Sequence, residues 1–392
     1  MTTARRVLLI SPQPYFAWRG SSIRVKFNVR ALAELGYEVD LLTIPVGEEE
    51  PSTPARVIRV WNVFGSNRIS IGPSPLKLWF DLLLFIRGFW LVLFNRYDVV
   101  HGTEEAGFVA WILAKIRGSK SVYEKHSDAA SYKKGVIQNL VLRVYLWVEH
   151  FTCRHADLVI CTGPGLYKQA KSIAPEALVW DICDIPSSLV EPSEADIATA
   201  KQAMTGGKQK ILVTYVGSFA VYQGIEVVFG AIPKVLEKTE LVRFVIIGGS
   251  AEEIANRQDT LNRQDIAAEA VQFLGLIPPD DLPAYLAASD ILMAPRKAGV
   301  NTPLKVLDYF KAGGAIVATD TTANRFILDQ SCAKLCEFSD QGFANAILDL
   351  VHNVDHRQVI ASRGRLLYEK KFNFNVFTRL LGGAYDKMLE VA

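Results

Sequence analysis

APRKAGVNTPLKVLDYFKAGGAIVATD, residues 294–320, is the stretch of this 392-residue sequence that decides the fold. An apolar strand end leads through a loop into a helix at Pro303, and Gly313-Gly314 ends that helix before a second apolar strand. Two strands joined by one helix predict a parallel βαβ unit. Backbone N–H groups at a helix start favour an anion. With Lys305 beside them and Asp308 one turn further on, the stretch predicts a metal-free site for a nucleotide diphosphate.

The same alternation of short apolar strands and helices runs through both halves of the chain, from a first strand at Val7–Ser11 to a last one at Ala315–Ala318. Such alternation predicts parallel sheets covered by helices on both faces. Residues 184–207, with prolines, acidic residues and a glycine pair, predict a linker and the entry helix of a second domain. We therefore expect an α/β protein of two doubly wound domains, with a helical tail from about residue 357.

Composition excludes several classes of protein. The net charge is +2 and the charged fraction is 21%, so a concentrated basic surface for nucleic acid is not expected. Five cysteines, an odd and scattered number, do not predict a disulfide framework. We therefore expect a protein of the reducing cytosol.

The apolar segment Trp79–Phe94 allows two interpretations. Charged residues interrupt it, and it is shorter than the roughly 20 apolar residues that a membrane span needs. It predicts either a buried helix or an interfacial helix whose aromatic residues lie among lipid headgroups, near Arg87 and Arg96.

Two glycine-containing turns follow strands. After Val7–Ser11, the turn Arg19-Gly20-Ser21-Ser22 opens a helix with Ser22 as the expected N-cap, which predicts either a phosphate or acceptor loop or an ordinary helix start. After Ile211–Val216 come Gly217-Ser218-Phe219 and Tyr222-Gln223-Gly224, an arrangement that suits a phosphate cradle. Its spacing differs from G-x-G-x-x-G, so a dinucleotide fingerprint is not supported.

Polar residues follow two further strands. His101 ends one strand and His126 ends another, where each could face a ligand or fill a structural role. Asp128, two residues on, could be a base or a helix cap.

The order of these motifs resembles the family-4 retaining glycosyltransferases. The matching pieces, in order, are YVGSFAVYQGIE, FVIIGG, VQFLGLIPPDDLPAYLAASDILMAPR and NTPLKVLDYFKAGGAIVATD. The resemblance implies the GT-B fold, with two facing Rossmann-like domains. It implies an acceptor domain at 1–186, a sugar-nucleotide domain at 187–371, and a final helix, about 372–392, that packs back on the first domain.

The resemblance also implies roles for individual residues. Lys305 and His126 would be catalytic, with Lys305 stabilising the departing diphosphate and His126 positioning the sugar. Asp308 would hold the ribose, and Gly20 would let a loop close over the phosphates. The other donor-binding residues would be Gly217, Ser218, Gln223, Arg296, Thr302 and Leu304. The acceptor side would hold Arg19, His101 and Asp128, and no metal or cofactor would be needed.

Three positions depart from the family pattern. Members usually carry an arginine where this chain has Ser218, a lysine where it has Gln223, and a glutamate where it has Val300. Losing two cations from a diphosphate site is costly, since a charge-assisted hydrogen bond contributes roughly 1.5–3 kcal/mol. We expect Lys305 to supply part of the missing charge, helped by Arg296, Arg325 or Arg19.

The expected function is a retaining hexosyltransferase that uses a nucleotide-diphospho-sugar and a glycan or lipid-linked acceptor. The resemblance places it in bacterial cell-surface polysaccharide assembly, in the cytoplasm or on the inner face of the cytoplasmic membrane, with membrane contact through residues 76–96. Two alternatives remain: a sugar-nucleotide epimerase, for which Glu124 and Asp128 are the candidate carboxylates, and a non-catalytic binding subunit.

Overall fold

The computed structural model describes residues 4–63, 65–66, 69, 74–127, 136–298 and 303–390, with the backbone alone for 136–142. The chain forms two compact units, Met1–Asp184 with Phe374–Ala392, and Ile185–Asn373. Asp128, Val300 and Thr302, which the sequence analysis singled out, lie outside the described residues.

The first unit contains a parallel sheet of seven strands in the order β3-β2-β1-β4-β5-β6-β7. Its strands are β1 Arg6–Ser11, β2 Glu38–Thr43, β3 Arg56–Arg59, β4 Val99–Thr103, β5 Lys120–Lys125, β6 Leu158–Cys161 and β7 Val179–Asp181. The helices between them are α1 Gly20–Glu34, α2 Pro75–Phe94, α3 Ala106–Arg117, α4 Val136–His155 and α5 Pro164–Ile173. The residues of β1 from Val7 to Ile10 are fully buried, because helices cover both faces of the sheet.

The second unit contains a parallel sheet of six strands in the order β10-β9-β8-β11-β12-β13. Its strands are β8 Ile211–Val216, β9 Val242–Ile247, β10 Val271–Gly275, β11 Ile291–Ala294, β12 Ala315–Thr319 and β13 Lys334–Cys336. Its helices are α6 Glu194–Thr205, α7 Ile225–Leu236, α8 Ala251–Asn262, α9 Leu282–Ala287, α10 Leu304–Ala312, α11 Thr322–Arg325, α12 Asp340–His352 and α13 Val354–Lys371.

In both sheets the strand order reverses beside the first strand of the unit. The switch points lie between β1 and β4 in the first unit and between β8 and β11 in the second. Open α/β sheets bind ligands at such points, outside the carboxyl ends of the strands. The residues that follow β1, β4, β8 and β11 are therefore the first to be searched for a site.

The predicted C-terminal tail is two helices. The first, α13, ends at Lys371, and a second helix, α14 Phe374–Glu390, begins after a break of two residues. α14 belongs to the first unit, where Phe374 contacts Phe27 of α1 with ring centroids 6.1 Å apart. Gly382 permits this packing, since a Cβ there would lie 3.0 Å from Leu35.

The structure corrects the predicted start of α1. Its N-cap is Arg19 and the helix begins at Gly20, so Ser22 lies within the helix rather than capping it. The Ser22 hydroxyl donates instead to the Pro14 carbonyl oxygen at 2.8 Å. The ten-residue helix α5 was not predicted. The short elements β7, α11 and β13 were not predicted either, because a few residues carry too little periodicity to identify a strand or a helical turn. Within the described residues, none of the helices combines the length and apolarity needed to cross a membrane.

Candidate active site

Glycines bring the ends of β8 and β9 together at the carboxyl edge of the second sheet. Gly217 and Gly248 have φ values of 143° and 109°, which residues with a side chain rarely adopt. A Cβ on Gly248 would lie 2.2 Å from the Gly217 carbonyl oxygen. The two backbones therefore touch, and the turn after β8 is left without side-chain bulk.

Lys305, the second residue of α10, extends to this turn. Its Nζ lies 4.3 Å from the centroid of the Tyr215 ring, and a Cβ on Gly217 would lie 2.7 Å from it. The ammonium group is buried and has no hydrogen-bond partner among the described residues. Burying an ammonium group without a hydrogen-bond partner is unfavourable, and a bound anion would supply the missing partner.

The charges around Lys305 are positive. Burial is the main cause that lowers the pKa of Lys305 to about 7, and the charge of the Arg296 guanidinium contributes to this lowering. Burial also lowers the pKa of Arg296, whose Nε donates to the Ala298 carbonyl oxygen at 2.9 Å. Neither cation has a carboxylate partner in the part of the chain that the structure describes. Two cations without a counter-ion at a sheet edge form an anion site.

The start of α10 adds backbone donors to these cations. Pro303 is the N-cap and offers no side-chain hydrogen bond, so the first N–H groups, beginning with that of Leu304, have no partner within the helix. The positive end of the helix and the Lys305 ammonium thus lie within one turn of each other.

Asp308 lies one turn further along α10 and is already engaged. Its carboxylate accepts hydrogen bonds from the Ser187 N–H at 2.6 Å and from the Ser187 hydroxyl at 2.9 Å. Burial raises its pKa to about 7, against the lowering effect of the Ser187 hydrogen bonds. A cavity of about 170 Å³ adjoins it, lined partly by Leu282, Pro283 and Leu286. A ribose bound at Asp308 would share or replace the Ser187 contacts.

The two positions that lack the family's cations have neutral side chains here. Ser218 is exposed, and its carbonyl oxygen accepts the Tyr215 hydroxyl at 2.8 Å. Gln223 ends a short 3-10 turn before Gly224, where a Cβ would lie 1.9 Å from the Pro295 carbonyl oxygen. The expected helper Arg325 is exposed and paired with Asp320, so of the second unit's candidates only Arg296 acts on Lys305.

The switch point of the first unit is built around a buried carboxylate, Glu124 at the end of β5. Arg24 Nε of α1 donates to Glu124 Oε1 at 2.8 Å, and Asn28 Nδ2 donates to Oε2 at 2.6 Å. Burial by itself would raise the pKa of Glu124, but the Arg24 guanidinium, together with His126 and His101, outweighs it and holds that pKa well below its usual range. A fully buried carboxylate paired in this way does not favour the epimerase alternative.

The two predicted histidines lie on opposite sides of Glu124. His126 Nε2 is 3.0 Å from Glu124 Oε2, while Nδ1 has no partner among the described residues. Burial would lower the pKa of His126, but Glu124 more than compensates and raises it. His101 is fully buried, with Nδ1 2.8 Å from the Tyr385 hydroxyl of α14 and Nε2 3.6 Å from Glu124. These contacts match a structural role for His101 rather than a ligand-facing one.

Glu104 is a residue that the sequence analysis missed. It follows β4 with a left-handed backbone, φ 52°, which is unusual for glutamate and costs on the order of 1–3 kcal/mol. Its carboxylate accepts the Ser127 hydroxyl at 3.1 Å, and burial raises its pKa. The paired acids after the strand His101-Gly102-Thr103 were the available signal, but the left-handed conformation is visible only in the structure.

Arg19 and Gly20 are exposed at the start of α1, and the Arg19 guanidinium lies 3.4 Å from the Ile69 carbonyl oxygen. They thus follow β1, at the switch point of the first sheet. Among the described residues there is no cluster of three or more His, Cys, Asp or Glu that could bind a metal ion.

The two sheets, with a site at each switch point, define an α/β protein of two Rossmann-like domains. Residues 19–176 match the family described as glycosyl transferase 4-like domain, and residues 210–353 match glycosyl transferases group 1. Together the two matches include most of both units. The chain belongs to the family-4-type glycosyltransferases, which have the GT-B fold.

Relatives agree with this placement. The sulfoquinovosyl transferase SQD2 of Arabidopsis thaliana is 23% identical over 81% of this chain and 60% of its own length. The phosphatidyl-myo-inositol mannosyltransferase of Mycobacterium tuberculosis is 27% identical over 39% of each chain. The matched region thus covers less than two thirds of either relative.

Solved structures share the fold. Sucrose-phosphate synthase from Thermosynechococcus elongatus has a TM-score of 0.79 at 20% identity, covering 99% of this chain and 100% of that one. Anabaena HepE in complex with UDP-glucose has a TM-score of 0.71 at 16% identity, covering 97% and 99%.

Proposed function

We propose that this protein is a retaining glycosyltransferase that moves a hexosyl group from a nucleotide-diphospho-sugar to a glycan or lipid-linked acceptor without a divalent metal. The observation that carries the proposal is the buried ammonium of Lys305, beside Arg296 at the start of α10, which has no partner among the described residues. The anion that fits two cations and a helix start is a diphosphate. The fold neighbour HepE was solved with UDP-glucose, which agrees with this ligand class.

The proposed reaction needs little covalent chemistry from the protein. The bond between the anomeric carbon and the diphosphate oxygen breaks, and the acceptor oxygen bonds to the same face of that carbon. The acceptor's proton passes to the departing diphosphate, so the charges balance. Negative charge grows on the diphosphate in the transition state, where Lys305, Arg296 and the N–H groups of α10 stabilise it.

The remaining roles follow the resemblance. His126, whose pKa Glu124 raises, would position the transferred sugar. Asp308 would hold the ribose hydroxyls at the position where Ser187 now donates. Chelation with EDTA should leave turnover unchanged, which tests the independence of metal.

Calorimetric titration with UDP, GDP and ADP tests the donor site. We expect one of them to bind, and Lys305→Ala to weaken it about 10- to 100-fold, since a charge-assisted hydrogen bond contributes roughly 1.5–3 kcal/mol. Lys238→Ala is the matched control, because Lys238 is an exposed lysine of the same unit. The absence of binding by all three nucleotides would exclude the proposal and favour the non-catalytic subunit.

Product analysis separates the two enzyme alternatives. A transferase releases nucleoside diphosphate and extends an acceptor, whereas an epimerase converts the sugar nucleotide with no acceptor present. An epimerised sugar nucleotide in that control would overturn the transferase assignment.

We also propose that α2 contacts an anionic membrane surface. Its apolar face, defined by Leu78, Leu82, Ile86, Trp90 and Leu93, is exposed along the whole helix. Arg87 and Arg96 are exposed near this face and complement anionic headgroups. This arrangement suits a lipid-linked acceptor and a setting in polysaccharide assembly at the inner face of the cytoplasmic membrane; co-sedimentation with vesicles measures it.

A further inference from the structure

Glu104 and His126 remain without a full complement of partners at the switch point of the first unit. Glu104 follows β4 and His126 follows β5, two strands paired in parallel with Thr103 opposite Glu124. Both side chains therefore start from the same carboxyl edge. The hydroxyl of Ser127, the residue after His126, donates to Glu104 Oε2 at 3.1 Å, which ties the carboxylate to the segment that carries His126.

His126 offers a hydrogen bond that no described residue accepts. It is only 6% exposed, and its Nε2 faces Glu124 at 3.0 Å. Its Nδ1 is buried and has no partner in the described part of the chain. A buried ring nitrogen without a partner is unfavourable unless a ligand completes it. Glu124 raises the pKa of His126, which favours the doubly protonated ring, and in that form Nδ1 is a hydrogen-bond donor.

Glu104 supplies the complementary acceptor. A hydroxyl group both donates and accepts a hydrogen bond, so a carboxylate beside an N–H donor is the pair that matches an alcohol. Burial raises the pKa of Glu104, and a charge on His126 opposes that rise.

A purely structural role explains Glu104 poorly. Glycine or asparagine adopts the left-handed conformation at low cost, whereas glutamate gains nothing from it locally. Its backbone extends the pairing of β4 with β5, since its N–H donates to the Glu124 carbonyl oxygen at 2.9 Å, but among the described residues only Ser127 donates to its carboxylate. The left-handed backbone sets the direction of the Glu104 side chain, and it is the position of this carboxylate that needs an explanation.

We propose that Glu104 and His126 together bind a hydroxyl group of the sugar or polyol acceptor other than the attacking one. His126 Nδ1 then contacts the acceptor rather than the transferred sugar. The Glu104 carboxylate accepts the hydrogen bond of that hydroxyl, and His126 Nδ1 donates to its oxygen. This inference rests on the proposed function, and it makes Glu104 an acceptor-binding residue in addition to the donor residues.

The test follows the His126 ring by NMR in full-length protein with isotope-labelled histidine. The chain has only six histidines, and the spectrum of His126→Gln identifies the His126 signal. The probes are methyl α-glucoside, methyl α-mannoside, methyl α-galactoside and myo-inositol, with nucleotide affinity measured in parallel by calorimetry. We expect at least one probe to shift the His126 signal with saturation.

Glu104→Gln should weaken that binding at least tenfold and leave nucleotide affinity unchanged. Glu176→Gln, the same change at an exposed site of the same unit, is the matched control and should bind like wild type. Thermal melting shows whether Glu104→Gln remains folded, and a misfolded variant is replaced by Glu104→Asp, which keeps the charge and shortens the reach.

Each result decides between the two claims. Failure of every probe to shift His126 in the wild type, or an unchanged affinity in folded variants at position 104, overturns this inference while nucleotide binding can still support the proposed function. If a probe shifts the His126 signal but the protein binds no nucleotide, the polyol site is supported and the proposed nucleotide-sugar donor is excluded.

Discussion

At the scale of single residues, Lys305 shows how one side chain can replace a pair of cations. The family's arginine and lysine are Ser218 and Gln223 in this chain, and neither can carry charge. Lys305 instead reaches the turn at Gly217 from the next helix, over the ring of Tyr215. Because the Lys305 ammonium is buried beside Arg296, it loses its proton more easily than an ordinary lysine when no ligand is bound, and this makes the site sensitive to pH.

The affinity for a nucleotide-sugar should therefore fall as the pH rises through about 7, the lowered pKa of free Lys305. Below that pH the Lys305 ammonium is already present. Above it, Lys305 must take up a proton when the diphosphate binds, so the affinity falls by at most about tenfold for each pH unit. The pKa values of nearby Tyr215 and Tyr309 are raised, so neither tyrosine loses its proton in this range.

Calorimetry in two buffers of different ionisation enthalpy measures this proton uptake directly. A nucleotide-sugar is the better ligand, because its phosphates stay ionised across the range whereas those of a free diphosphate do not. Lys305→Arg keeps its charge, so the pH dependence that remains in this variant is that of Asp308, whose pKa is also about 7. Equal pH profiles for the wild type and this variant would show that Lys305 does not titrate on binding.

At the scale of elements, α2 does two things at once. Its buried side packs Phe80, Leu83 and Leu84 into the first unit, while its opposite side leaves an apolar face exposed. Trp90 stacks on Phe94, with ring planes 5° apart, at the end of that face. The sequence allowed a buried or an interfacial helix, and the structure shows a helix with one buried side and one exposed apolar side.

Replacing Leu82 and Trp90 together by serine should release the protein from anionic vesicles. Each large apolar side chain contributes about 1.5–3 kcal/mol on burial, so we expect binding to fall at least tenfold. Val359→Ser with Leu366→Ser changes exposed apolar residues of α13 and serves as the control. Sedimentation with vesicles of anionic and of neutral lipid, at low and high salt, provides the measurement; unchanged sedimentation would remove α2 from the membrane contact.

Element boundaries show what local pattern can establish. Long elements such as α2 and α14 follow the apolar periodicity of the sequence, whereas the four-residue α11 and the three-residue strands β7 and β13 do not. The start of α1 was misassigned because two serines look like caps, while the tertiary contact of Ser22 with the Pro14 carbonyl oxygen uses that hydroxyl elsewhere.

At the scale of the whole molecule, the chain returns to its first unit through α14. Phe377 of α14 is buried under the Arg24 guanidinium, 4.5 Å from its ring centroid, and Tyr385 bonds to His101. Arg24 also donates to the carbonyl oxygens of Ile182 and Cys183, where the chain leaves this unit. The Glu124 network is thus joined to both segments that connect the units.

Phe377→Ala should destabilise the first unit by about 3–5 kcal/mol, the usual effect of removing a buried phenylalanine. Nucleotide affinity, which belongs to the second unit, should remain unchanged. Chemical denaturation followed by tryptophan fluorescence measures the first effect, and calorimetry the second. Leu366→Ala, at a half-exposed site, is the control, and a loss of nucleotide binding in the folded Phe377→Ala variant would contradict this division.

The sequence by itself determined the class of fold, the family and the residues near the anion site. Strand and helix periodicity, and the order of short motifs, are local properties that survive without tertiary context. Tertiary structure alone decided which groups meet: the Lys305 ammonium at Gly217, Ser187 on Asp308, and Ser127 on Glu104. Hydrogen bonding, burial and pKa depend on groups far apart in sequence, so they exist only once the chain is folded.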